Sequence, residues 1–189
     1  EALNSYKNSS KIIKLDLIDF IIDKVKFILK KQNFNHDIIE AVFSLKDSRN
    51  YLFPILYERV NCLNDIKDTS DFKIFLVNYK RLNNIIKSNK LLDISNVKLN
   101  IHLFESSEEQ EIYDKSKNLD INLKKYLTDL EYQGIILKEV INLHYVIDSF
   151  FEKIIVNHEN KKIKSNRIKL LMDLKNRILK FSNFHYVEN

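Results

Sequence analysis

Of 189 residues, one is glycine and one is proline, where average usage would supply roughly 22 of the two together. Tight hairpins, phosphate-cradling loops and dinucleotide-binding turns draw on glycine at positive φ, and proline-rich linkers on a fixed φ. A chain this short of both excludes those architectures and the chemistry built on them. A helical chain needs neither residue. The sequence therefore reads as all-α, an irregular bundle of about seven to eight helices.

The 3.6-residue period supports this directly. Leu15, Ile18, Ile22, Val25 and Leu29 form a stripe over 15–32, and Asn35 caps a short helix over 36–45 that the polar stretch 46–50 ends. Pro54 falls in the first turn of a helix over 51–66, where its missing N–H has no partner to lose. Thr69 or Ser70 caps a helix over 71–88. The period lapses over 89–105, an irregular connection that suits a boundary between two helical halves. Ser106 and Ser107, three residues ahead of Glu109 and Gln110, have capping-box spacing and open a helix to about 118. Residues 118–120 read as an interruption, 121–131 as a further helix, and Gly134 as its left-handed C-terminal turn. Long helices follow over 135–156 and 163–184. In domain terms, 1–14 is a flexible lead from a larger subunit and 15–189 is one helical domain.

Composition narrows the class. The chain is 44% hydrophobic and 30% charged, with a mean hydropathy of −0.30, as globular proteins are. No apolar run approaches the roughly 18–20 residues a membrane span needs, and Glu1-Ala2-Leu3-Asn4 lacks a signal-peptide pattern and an initiating Met, as expected of a fragment or processed product. Lone Cys62 forms no internal disulfide, which fits a cytoplasmic location. Lysine outnumbers arginine 26 to 5, a codon-bias pattern that weakens a pI near 9.0 as a sign of nucleic-acid binding. The distribution of charge is more telling. Residues 161–189 hold eight Lys/Arg against Asp173 and Glu188, a local +6, while 1–160 nets −1.

No catalytic constellation emerges. His144, Asp148 and Glu152 share a helical face at metal-ligand spacing, but no second histidine joins them, so a polar edge is the simpler reading of that face and a metal hydrolase the remote one. Asp16, Asp19 and Asp23, near a helix start, complement its dipole. Cys62 has no neighbouring His, and no serine sits in a glycine elbow. The basic last helix is the suggestive element. Lys162, Lys169, Asn176 and Lys180 share a face that suits a row of phosphates, or simply solvent, with Asn166, Arg167 and Asn176 able to reach base edges. Arg167 falls in the apolar phase between Ile163 and Leu170, so it is partly buried and needs an internal acid or an RNA as its partner.

Three ordered stretches carry a resemblance. Ile147-Asp148-Ser149-Phe150-Phe151-Glu152-Lys153-Ile154-Ile155-Val156, then Asn166-Arg167-Ile168-Lys169-Leu170-Leu171, then Ile178 to Phe184, resemble the C-terminal signature of the bacterial glycyl-tRNA synthetase beta subunit: V-D-x-F-F-x-x-V-M-V, N-R-L-x-L-L and a closing tail. Upstream, residues 15–24, 37–42 and Lys80-Arg81-Leu82-Asn83-Asn84-Ile85 agree in order and spacing. Val146 stands where the family has proline, which is expected to loosen that helix start or let the helix run on from 135. The letters D-A-L-R do not occur, and another DALR-type synthetase, such as the arginine enzyme, is the nearest competing resemblance.

The resemblance implies an all-helical DALR-type anticodon-binding domain that holds glycine tRNA, while aminoacylation, with its ATP and Mg²⁺, takes place on a separate alpha subunit. It implies no cofactor in this domain, no membrane, and as partners the alpha subunit and the rest of the beta subunit in an alpha2beta2-type assembly. Matched position by position, it marks Lys80, Arg81, Asn84, Asn166 and Arg167 as RNA-contact candidates, beside Lys162, Lys169, Asn176 and Lys180 from the basic row. Tyr79 or Tyr145 is placed to stack on an unpaired base. The alternative from a different class is a helical docking domain whose basic face is merely solvated.

Overall fold

The computed structural model describes residues 2–45, 52–89 and 97–188, with side chains from Asp16 onward. Within them lie seven α-helices and no strand: α1 (Ala2–Lys31), α2 (His36–Phe43), α3 (Phe53–Ile66), α4 (Ser70–Ser88), α5 (Ser107–Tyr126), α6 (Gln133–Lys153) and α7 (Lys161–Phe181). The stretch 46–50 expected to end the second helix, and residues 90–96 of the 89–105 connection, lie outside the described residues; 97–106 is irregular apart from one 3-10 turn, Ile101–Leu103.

Helix α6 is the central element. It buries Ile136, Leu137, Val140, Leu143, Ile147 and Phe150 and is flanked by α3, α4 and α5, while α7 lies against α4 and α5. One apolar cluster runs from Leu29 on α1 to Val187 in the tail. Ser182 turns extended and ends α7 at Phe181, before the expected 184, so that Phe184 can enter the core against Phe75, Tyr79 and Phe72, with ring centroids 4.9, 5.8 and 6.2 Å away. Asn183 N then donates to Ala41 O (2.8 Å) and Glu188 N to Asp37 Oδ2 (3.1 Å), which ties the tail to α2.

Several local expectations need correction. Residues 107–126 form one helix with no break at 118–120, because Ile112, Ser116, Leu119 and Leu123 stay in phase and buried throughout. Helix α1 begins at Ala2 and takes in the stretch expected as a lead, so Asp16, Asp19 and Asp23 sit mid-helix and its first turn carries no acid. Asn35 occupies the cap position of α2, but its side chain makes no cap bond and accepts instead from Lys67 Nζ (3.0 Å). Thr69 and Ser106 do cap, accepting from Phe72 N and Glu109 N, and Pro54 lies in the first turn of α3. Through Val146 the helix runs on unbroken.

Gly134 ends no helix. It lies in the first turn of α6 with φ in the ordinary negative range, and an added Cβ would meet only Cys62 Sγ, at 3.6 Å. Neither conformation nor space demands glycine there. Gly134→Ala is accordingly expected to raise stability by about 0.5 kcal/mol through the unfolded chain's lost freedom, read as a higher urea midpoint at unchanged m-value.

Candidate nucleic-acid interface

The basic row on α7 is not a continuous free face. Lys169 Nζ is held by Asp173 one turn on (2.7 Å), and Lys180 Nζ by Asp120 of α5 (2.7 Å). Hydrogen bonds from Lys124 and then Lys180 pull the Asp120 carboxyl down to about 2. Arg177, beside this group, donates to the Ser116 hydroxyl. Among the proposed row, Lys162 on the first turn and Asn176 further along are exposed. Part of the +6 of the last segment, in which Asp173 is already counted, is thus offset by Asp120 of α5.

Asn166 and Arg167 face inward. Asn166 is 2% exposed and pairs with the Asn100 backbone in both directions: its Oδ1 accepts from Asn100 N (2.8 Å), and its Nδ2 donates to Asn100 O (2.9 Å). Arg167, 4% exposed, meets a fully buried carboxylate: Nε donates to Glu109 Oε1 (2.9 Å), and Nη2 to Glu105 Oε2 (2.8 Å). Its Nη1 donates to Ile155 O (3.1 Å). The partner required by the phase of Arg167 is an internal acid. Glu109 serves both that arginine and the Glu105 backbone N–H (2.8 Å), so the residue expected to bond back to the Ser106 N–H instead meets the residue before the cap and closes a buried ion pair.

The motif on α4 behaves differently. Arg81 and Asn84 are exposed and Lys80 half-exposed, and with Val77, Ile85 and Ser88 they line a shallow depression along the helix. Arg81 is oriented by α6: its Nη2 donates to Phe151 O (3.2 Å), and its guanidinium lies 4.6 Å from the Phe151 ring centroid. Arg81 and Arg167 therefore hold successive parts of one element, the end of α6 and the turn into α7, the first from the surface and the second from inside. Lys162 follows that turn. Of the two stacking candidates, Tyr79 is buried between Phe75 and Phe184, and burial pushes its hydroxyl up to about 12, while Tyr145 is 61% exposed.

His144 is buried, with its backbone O accepting from Asn78 Nδ2 (3.2 Å), whereas Glu152 is exposed. Among the described residues no group of three His, Cys, Asp or Glu is placed to hold a metal ion, and no helix is long and apolar enough to cross a membrane. Burial and the neighbouring Glu58 carboxylate push the Cys62 thiol up to about 12, far from a reactive thiolate.

The family described as the DALR anticodon binding domain matches residues 75–181, from within α4 to the last residue of α7. The chain belongs to the DALR anticodon-binding domain family. The matched span contains every candidate residue above and takes in most of α4 with α5, α6 and α7; α1, α2, α3 and the folded-back tail lie outside it. The DALR chain is similar to the glycine–tRNA ligase beta subunit of Buchnera aphidicola subsp. Schizaphis graminum, 29% identical over 93% of this chain and 24% of the relative. It is likewise similar to those of Sulfurihydrogenibium sp. (30%, covering 89% and 24%) and Lactobacillus acidophilus (35%, covering 81% and 20%). The chain spans about a quarter of the length of the curated relatives it matches.

The sequence reading missed two groups. The capping spacing of Glu109 gives no sign of its buried ion pair. Arg59 is among the largest fully buried side chains of the described residues, and it lies in the apolar phase of α3 between Leu56 and Leu63. The phase argument that singled out Arg167 applies to it unchanged.

Proposed function

We propose that this DALR domain grips the anticodon stem-loop of glycine tRNA for a glycyl-tRNA synthetase, as part of its beta subunit in an alpha2beta2-type assembly. The observation that carries the reading is the solvent-facing Lys80, Arg81 and Asn84 on α4, inside the matched span and ordered by the end of α6. A lysine for phosphate and an Arg/Asn pair for base edges is the division of labour that sequence-specific RNA binding uses, and exposed Tyr145 supplies a stacking surface. Lys162 on the first turn of α7 adds an exposed cation, while Arg167 acts from inside by holding the turn after α6 and Asn166 by holding the Asn100 backbone. Lys169 and Lys180 stand in internal ion pairs and contribute little. ATP and Mg²⁺ belong to the alpha subunit, and this domain aminoacylates nothing by itself.

A titration of glycine tRNA against an anticodon-swapped tRNA at two salt concentrations tests the reading. Lys80→Ala is expected to weaken both complexes alike and lower the salt slope by about one. Asn84→Ala is expected to narrow the preference for the glycine anticodon by about 1–3 kcal/mol, with the slope unchanged. Equal affinity of the parent for both tRNAs removes the base-reading role, and the absence of a salt slope removes the phosphate contacts.

A further inference from the structure

We propose that the outer face of α1 is the seam along which this domain packs on the rest of its synthetase subunit, an inference that rests on the chain's proposed place in a beta subunit and not on its contacts with tRNA. Helix α1 has two unlike faces. Inward, Leu29 is buried, and Ile22 and Val25 pack against the core. Outward, Leu17, Phe20, Ile21, Phe27 and Ile28 recur at helical spacing, and each keeps between 50% and 58% of its surface in water. Lys24 Nζ lies 5.2 Å from the Phe20 ring centroid and Lys31 Nζ 4.7 Å from that of Phe27, so the patch carries a cationic rim. Scattered exposed apolar residues are ordinary, but five on one helical face mark an interaction surface.

Size and attachment select the occupant. Five half-exposed side chains of this type offer about 400–500 Å², short of the roughly 800 Å² per partner of a stable association between separate molecules. A body on the same polypeptide needs no such area, because the linker supplies a high effective concentration. The relatives have that body: the match covers 24% of the Buchnera and Sulfurihydrogenibium subunits, so about three quarters of each lies outside it. The surface that meets α1 is expected to be apolar, with carboxylates opposite Lys24 and Lys31.

Maleimide labelling of a cysteine placed at Ile21, in a Cys62→Ser background, tests this without tRNA. The reference is Ile121→Cys on α5, where Ile121 is 55% exposed, and both rates are normalised to those in urea. In the 189-residue chain the two sites should label alike. In a complete beta subunit carrying this sequence, the Ile21→Cys site should react at least about tenfold more slowly, as for a face whose open form is about 10% populated or rarer. An unchanged ratio in the complete subunit overturns the proposal. So does slow labelling at Ile21→Cys in the 189-residue chain together with a doubled sedimenting mass, which would make a second copy the occupant.

Discussion

Arg167→Ala is expected to lower the unfolding free energy by about 3–5 kcal/mol, since it strands a carboxylate inside the bundle. Glu109 is fully buried, and Arg167 supplies the charge that offsets its desolvation, while also reaching Glu105 and the Ile155 carbonyl. Arg167→Lys should recover only part of the loss, because one ammonium cannot replace a fork spanning three acceptors. Replacing both partners, as Arg167→Met with Glu109→Met, should cost less than Arg167→Ala alone, since matched apolar groups leave no buried charge. Urea unfolding of the two single variants and the pair gives the coupling directly. A loss under about 1 kcal/mol for Arg167→Ala would mean that the ion pair does not hold, and Arg167 would return to the set of RNA contacts.

That pair also shows where sequence reasoning reached. The phase of Arg167 within the stripe of Ile163 and Leu170 establishes that it is enclosed and needs a partner, but not which one. Glu109 is 58 residues away along the chain, and no local pattern joins them. Helices were legible wherever an apolar stripe and a cap coincide, as in α4 with Thr69 and in the start of α5 at Ser106. Errors arose where composition was given more weight than phase. Asn118 and Asp120 suggested a break that Ile112, Leu119 and Leu123 override, because three buried side chains in register outweigh two modest propensities. Gly134 suggested a helix end for the same reason. The charge count of the last segment was correct, yet it carried no information about Asp120, which lies on α5 and takes up Lys180. For the candidate site, the sequence supplied the residues and the fold divided them into an outer set on α4 and an inner set on α7.

Arg59→Ala should be comparably severe, with a loss of about 3–5 kcal/mol, because its guanidinium joins three helix ends. The guanidinium donates from Nε to Gln133 Oε1 (2.8 Å), from Nη2 to Leu127 O (2.8 Å) just past α5, and from Nη1 to Phe181 O (3.3 Å) at the end of α7. It also lies 5.1 Å from the Phe181 ring centroid. A cation at two helix C-termini complements both dipoles. Removing it strands Gln133 Oε1 and Phe181 O, leaves Leu127 O with Gln133 Nε2 alone, and opens a cavity where a fully buried arginine stood. At about 2–4 °C per kcal/mol for a domain of this size, the melting temperature should fall by about 10 °C or more. Arg59→Met, which keeps the bulk and loses the donors, should fall nearly as far; a drop of only a degree or two would assign the role to packing. Arg59 lies on α3, outside the matched 75–181 span, and so does Phe184, which fills the core from the tail. The four-helix unit cut at 75 and 181 would lose both and bare the carbonyl of Phe181. It should therefore fail to show a cooperative urea transition that the 189-residue chain does show, which makes α3 and the tail structural parts of the DALR module.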